Sequence, residues 1–412
     1  MDQILTLSFL LALLAMIGIR LWLAQRQIAH VIAHRASVPP SFANKISLAA
    51  HQKAADYTVA RTRFGRLALV VEVTVLFAFT LGGGLQALHH FWFTYLDGLF
   101  YGVALILSVV AVSSLLDLPL ALYHQFVIED RFGFNRMTWR LFVVDRLKQA
   151  GLGIALGVPA LFAVLWLMER MGSYWWVYVW IFWCLFNLLI LFVYPTWIAP
   201  LFNRFAPLDD AGLKARVDAL LARCGFASSG LFVMDGSRRS SHGNAYFTGF
   251  GKTKRIVFFD TLLGRLQASE VEAVLAHELG HYRHRHVSKR IGLLFAFSLV
   301  FLAVLGQLID ASWFYHGLGV EAQDRALGLL LFFLAGPVFT FLLTPLLTVL
   351  SRRDEFEADR YAAANASAND LITALVKLYE DNAATLTPDP MHSLFYDSHP
   401  PAALRIARLQ PV

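Results

Sequence analysis

Near residues 4–23, 67–88, 99–122, 150–168, 174–192, 291–309 and 326–350, the chain is apolar over about the 20 residues that an α-helix needs to cross a bilayer. Backbone N–H and C=O groups find no water in hydrocarbon, so runs of this length have to form helices that satisfy their own hydrogen bonds. Composition agrees: 57% of the 412 residues are hydrophobic, 16% are charged and the mean hydropathy is +0.56. The expected class is predominantly α, a multi-pass protein of the lipid bilayer with about seven transmembrane helices. No basic region precedes the first run and no small-residue cleavage site follows it, so it reads as a span and not as a signal peptide. Pro337 and Pro345 lack the N–H that a helical ladder needs and are expected to kink the last span.

Basic residues orient the spans. Arg26, Arg35, Lys45, Lys53, Arg61, Arg63 and Arg66 separate the first two, and Arg131, Arg136, Arg140, Arg146 and Lys148 separate the third and fourth, whereas residues 89–98 carry no Lys or Arg. The positive-inside rule then predicts an extracytoplasmic N-terminus and a cytoplasmic segment over about 195–290. The net charge of +6 follows membrane side and does not gather on one soluble face, which argues against a nucleic-acid partner. Two cysteines, Cys184 and Cys224, suggest neither a disulfide framework nor a thiolate metal site. A four-part division is expected: 1–194 with five spans, 195–290 with catalytic elements, 291–350 with two spans, and a C-terminal catalytic segment over 351–412. A monomer is expected.

The chemistry is announced by His277, Glu278, Leu279, Gly280 and His281, an HExxH pattern in SEVEAVLAHELGHYRHRH. Residues four apart share a helix face, so His277 and His281 can offer imidazole nitrogens to one tetrahedral Zn²⁺. Glu278 is then the candidate base, taking a proton from a water whose pKa the ion lowers and returning it to a leaving amine. Ser269 and Glu272 have the spacing of a capping box, and Val271, Val274, Leu275 and Leu279 supply an apolar face.

Such a site needs a third protein ligand. In SRRDEFEADRYA, Glu355 and Asp359 are again four apart, and two intervening spans return the chain to the side of His281. Glu355 is expected to ligate one Zn²⁺ per chain and Asp359 to orient a ligand imidazole, with Asp354 and Glu357 as substitutes on spacing alone. Before the metal helix, LFVMDGS, NAYFTGF and RIVFFD read as short strands separated by the turns GSRRSSHG and GKTK. They suggest a small sheet whose edge, probed at Asn244, Ala245 and Tyr246, could pair with an extended peptide. His242 and His399 could each be a ligand, a donor or an ordinary surface histidine.

Taken together, FVIEDRFGFN (126–135), YPTWIAPLFNRF (194–205), GSRRSSHGNAYFTGF (236–250), HELGHYRHRH (277–286), SRRDEFEADRYA (351–362) and SHPP (398–401) resemble the Ste24-type CAAX prenyl proteases of the M48 family. The resemblance implies a zincin-like, cytoplasm-facing catalytic region beside a helix-walled chamber. It also implies Glu355 as third ligand with Asp359 as its orienting partner, His399 and Arg405 as stabilisers of the oxyanion, and Asn244 beside the substrate. It assigns no role to His242. Phe132 and Tyr282 depart from the family's usual His and Trp. Glu72 and Asp117, carboxylates inside spans, are expected to face the chamber.

The expected activity is zinc-dependent hydrolysis of peptide bonds, on a prenylated CAAX terminus or on membrane-associated polypeptides in the manner of HtpX-like proteases. A bacterial cytoplasmic membrane is the expected location in preference to the endoplasmic reticulum. A metal transporter or sensor would instead place its ligands within the spans.

Overall fold

The computed structural model describes residues 1–228, 230–248 and 255–410. Among these, helices Asp2–Ala33, Gly98–Glu129, Trp139–Arg170, Gly172–Phe202, His286–Leu308 and Arg325–Asn365 are each long and apolar enough to span a membrane. The second expected span departs from a straight rod. It is a pair, Leu48–Phe79 and Gly84–Phe93, bent by 50°. Glycines make the bend: Gly83 has φ +77°, and a Cβ on Gly82 or Gly84 would meet the Ala78 backbone at 2.9 or 2.6 Å. No larger residue fits so close a reversal. In the last span a 3₁₀ turn at Phe341–Leu343 interrupts the α-helical ladder between Pro337 and Pro345.

Side chains start several of these helices. The Ser47 hydroxyl accepts from Ala50 N–H, Thr138 from Leu141 N–H, and Asp324 from the N–H groups of Ala326 and Leu327. In the bundle interior Phe9, Leu85, Leu105, Met168, Leu327 and Leu331 pack together, while Leu115, Leu147, Ile154 and Leu185 are exposed. Only 11% of the most apolar window of Trp139–Arg170 is buried, against 56% for Arg325–Asn365, so the last span stands at the centre of the bundle.

That central helix leaves the apolar bundle and continues into the catalytic region as Thr344–Asn365. The boundaries drawn at 290/291 and 350/351 fall within continuous helices, His286–Leu308 and Thr344–Asn365. A second core forms there around Leu275, Ala276, Leu279, Ala362, Leu371 and Ile406.

The expected strands are present with a fourth that the sequence reading missed. β1 (Phe205–Pro207), β2 (Leu231–Met234), β3 (Ala245–Thr248) and β4 (Arg255–Phe259) form one mixed sheet in the order β1-β2-β4-β3. β1 is only three residues long and contains Pro207, so it carries almost no strand signal. β3 pairs antiparallel with β4, Tyr246 opposite Val257, and is an edge strand among the described residues. The GKTK turn lies outside the described residues.

Between the first two helices, the β3 end of the sheet and the C-terminal segment lies a cavity of about 1000 Å³, lined among others by Arg20, Arg61, His242, Asn244, Tyr379 and His399.

Candidate active site

The HExxH residues lie on the helix Ala268–Arg283. Its cap differs from the one expected. Helix begins at Ala268, so Ser269 is already inside the first turn; Gln267 is the cap, and its N–H donates to Glu270 Oε2 at 2.7 Å. Lys377 Nζ donates to the same buried oxygen at 2.7 Å. Glu272 instead faces the Ala211–Arg223 helix and pairs with Arg216 and Arg223 at 2.7 and 2.8 Å.

This helix lies against Thr344–Asn365 with no room to spare: a Cβ on Gly280 would meet Ala358 Cα at 2.8 Å. The glycine of HELGH therefore sets how closely Glu355 approaches the two histidines. His277 Nε2 and His281 Nε2 are 3.2 Å apart, and the Glu355 oxygens lie 3.5 Å from His277 Nε2 and 3.2 Å from His281 Nε2. A tetrahedral Zn²⁺ with bonds of about 2.0–2.2 Å needs ligand separations of about 3.3–3.6 Å, so this donor set has the size of a zinc site. Glu355 Oε2 is buried without a hydrogen bond, with His277 Nε2 and Arg405 Nη1 each 3.5 Å away, which leaves a lone pair free for a metal ion.

Outside the ligands, both imidazoles are held by their second nitrogen. His277 Nδ1 lies 2.9 Å from Asp359 Oδ1, the orienting contact expected of Asp359. His281 Nδ1 lies 3.0 Å from Nδ1 of the buried His286, whose Nε2 reaches Glu357 at 3.1 Å. His286 and Glu357 were missed as supports. Their signal was present, since His286 closes the histidine-rich run and Glu357 lies two residues after the third ligand, but spacing could not show that they meet.

Arg405 is placed differently from the expected oxyanion role. Its Nε and Nη2 donate to Asp359 at 2.8 and 2.6 Å, Nη2 also approaches His277 Nδ1 at 3.4 Å, and Nη1 lies 3.5 Å from Glu355. The guanidinium is buried and lies against both carboxylates, Asp359 and Glu355. His399 stands on the other, open side: Nε2 is 3.4 Å from Glu355 Oε1 and the side chain is 63% accessible. It lines the cavity, as does Asn244.

Burial pushes the half-buried Glu278 carboxyl above its ordinary 4.5, against the pull of His277 and His281. Protein atoms around the accessible His399 imidazole desolvate it and lower it below 6.5, partly opposed by Glu355. A carboxylate with raised basicity beside three metal donors, with a neutral imidazole opposite, suits attack by water on a carbonyl.

The remaining expected residues take other stations. Asn244 Oδ1 accepts from Ala245 N–H at 2.8 Å, and its carbonyl accepts from Phe259 N–H, opening the β3 edge. Tyr246 turns its hydroxyl toward Met234 Sδ. His242 stacks on Phe134 and lies between Asn382 and Glu129, tying the loop after the third span to β3. Phe132 and Phe134 flank Tyr57 at 5.1 and 4.9 Å, so the aromatic departure is absorbed in packing. Tyr282 packs edge-on against Phe226. Glu72 pairs with Arg20, a cavity residue, while Asp117 is exposed and does not line the cavity.

Two family models match in tandem: CAAX prenyl protease N-terminal, five membrane helices, over residues 27–204, and Peptidase family M48 over residues 207–412. The chain belongs to the M48 peptidase family. This M48 peptidase is 38% identical over 302 residues to a CAAX prenyl protease 1 homolog of Arabidopsis thaliana, covering 73% of this chain and 71% of that one. It is 34% identical to CAAX prenyl protease 1 of Saccharomyces cerevisiae, with 73% and 70% covered, and 31% identical to the Homo sapiens homolog, with 94% and 92% covered. The crystal structure of S. mikatae Ste24p superposes with a TM-score of 0.92 at 28% identity over 99% of both chains. The protein is thus an integral membrane metalloprotease of the CAAX-protease type. The relatives cited are eukaryotic and lend nothing to the bacterial location expected above.

Proposed function

We propose that this M48 peptidase binds one Zn²⁺ through His277 Nε2, His281 Nε2 and Glu355, and hydrolyses a peptide bond of a prenylated CAAX-type C-terminus at the cytoplasmic face of its membrane. The observation that carries the reading is the buried Glu355 carboxylate, whose two oxygens face His277 Nε2 and His281 Nε2 at tetrahedral spacing, with Glu278 beside them.

When bound, zinc supplies Lewis-acid polarisation of the scissile carbonyl and lowers the pKa of an adjoining water. Glu278 accepts the attacking water's proton on its carboxylate and returns it to the departing amine. Neutral His399 donates a hydrogen bond toward the developing oxyanion from the cavity side. Asn244, Ala245 and Tyr246 present the β3 edge, whose backbone groups hold the substrate in extended form with little regard for its side chains. Asp359 keeps the proton of His277 on Nδ1, so Nε2 offers its lone pair, and Arg405 fixes Asp359 in turn. The protein acts as a monomer on peptides reaching it from the membrane surface, with no nucleic-acid partner.

The test compares a quenched farnesyl-peptide with its unmodified twin, using purified protein, the Glu278→Gln variant and protein stripped with a chelator and reloaded with zinc. Turnover of the farnesyl-peptide should fall at least about 10³-fold in Glu278→Gln and in stripped protein, and return with zinc. Equal turnover in all samples would rule the reading out, and a preference for the unmodified peptide would redirect it to general membrane-protein degradation.

A further inference from the structure

One wall of the cavity carries charge that the hydrolytic machinery does not use. Arg61 and Arg66 line it from the helix Leu48–Phe79, both exposed to its interior. Among the described residues neither comes within ion-pair distance of a carboxylate. Arg61 lies over the Tyr57 ring at 5.4 Å, and Arg66 donates one long bond of 3.4 Å to Gln25. Arg20, on the neighbouring helix, is by contrast neutralised by Glu72 at 3.0 Å. Among the described lining residues Asp397 is the single carboxylate, so the cavity presents two open guanidiniums to whatever enters it.

Their position relative to β3 gives this charge a direction. The Tyr57 hydroxyl donates to Glu129 Oε1 at 2.5 Å, and Glu129 Oε2 lies 3.6 Å from His242 Nε2. Arg61 is therefore one phenol and one carboxylate away from His242, two residues before Asn244. The sheet's contribution to the lining comes from His242, Gly243, Asn244 and Phe259; Tyr246 and Phe247 add nothing to it. The cavity thus opens at the N-terminal end of β3. A peptide added to this edge could run either way, but only an antiparallel peptide sends its C-terminus past Asn244 toward the arginines.

We propose that Arg61 and Arg66 form a subsite for the free α-carboxylate of a peptide substrate, and that this contact selects the antiparallel direction on β3. The proposal rests on the peptidase reading above. Guanidinium and carboxylate match in shape and charge, and bidentate pairing gives direction as well as affinity. Protein walls screen the pair less than bulk water does.

Two quenched peptides identical except for a free-acid or amidated C-terminus test it on the full-length, zinc-loaded protein in neutral detergent. The wild type should show a KM about tenfold lower for the free acid, with similar kcat, as one charge-assisted contact made equally in ground and transition states predicts. In the double variant Arg61→Gln, Arg66→Gln the two KM values should converge, and Arg61→Lys with Arg66→Lys should restore part of the gap. A melting curve of each variant separates loss of the subsite from loss of fold, and the wild-type comparison needs no variant. Equal KM values in the wild type, or a preference that survives the double glutamine variant, would overturn the subsite. Competition by anionic-lipid micelles with no acid-over-amide preference would assign the arginines to a lipid phosphate instead, which also overturns it. If the wild type cleaves neither peptide, the peptidase reading itself fails.

Discussion

Leu105 and Leu115 lie on the same membrane helix, yet Leu105 is fully buried among apolar neighbours while Leu115 is 68% exposed. Around the metal centre the contrast is of another kind. Glu355, Asp359 and Arg405 are nearly as buried as Leu279 and Ala358, so charges and apolar groups share one interior. In the bundle, apolar atoms can face either the core or lipid, and a position matters only through what packs against it. In the catalytic interior each buried charge is tolerable only because a named partner faces it, and removal of one strands the others. Stability of the first region is distributed, and that of the second is held in a few reciprocal contacts.

The largest test of this contrast removes Arg405. Arg405→Ala should cost about 3–5 kcal/mol in thermal or denaturant unfolding and weaken zinc binding about 10–100-fold, because Asp359 is left buried without its partner and releases His277. Unchanged zinc affinity, measured by chelator competition, would show that Asp359 holds His277 unaided.

A smaller effect is expected where the two regions join. Buried Asp389 accepts from Arg26 at 3.2 and 2.9 Å and from the N–H groups of Met391 and His392 at the start of Pro390–Tyr396. Burial alone would raise its pKa, but these donors hold it below its ordinary 3.8. A depressed carboxyl stabilises the fold above its unfolded pKa and loses that contribution as pH falls through the folded one. Melting temperature should therefore drop below about pH 4 in the wild type and less steeply in Asp389→Asn, which is itself less stable by about 1–3 kcal/mol at neutral pH. Parallel acid profiles for the two proteins would remove Asp389 from the join.

The smallest effect belongs to the exposed apolar positions. Leu115→Ala should change stability and peptide turnover little, by less than about 0.5 kcal/mol, since no packed neighbour is lost. A loss comparable to that of Arg405→Ala would mean that this position is covered in the native assembly.

The legible part of this protein lies where a local period maps directly onto geometry. Apolar runs marked the spans, and four-residue spacing put His277 beside His281 and Glu355 beside Asp359, because the α-helix repeats every 3.6 residues. Short apolar runs between turn-prone segments located β2, β3 and β4, while the three-residue β1 left no such trace. Other features escaped because competing local signals existed. Ser269 and Glu272 have capping spacing, but Lys377, more than a hundred residues downstream, meets Glu270 instead. The Gly82–Gly84 run sits inside an apolar stretch that reads as one span, although its backbone reverses there.

Sequence by itself therefore determined the membrane class and placed His277, Glu278 and His281 on one helix and Glu355 and Asp359 on another, since each depends on short-range periodicity or on solvation of whole segments. Only the tertiary structure decided that Arg405 clamps Asp359, that His286 and Glu357 support His281, and that Arg61 and Arg66 share a cavity with Asn244. Those pairings join residues far apart in the chain, and which buried charge meets which partner depends on how closely helices pack. In this protein Gly280 sets that distance at the metal centre.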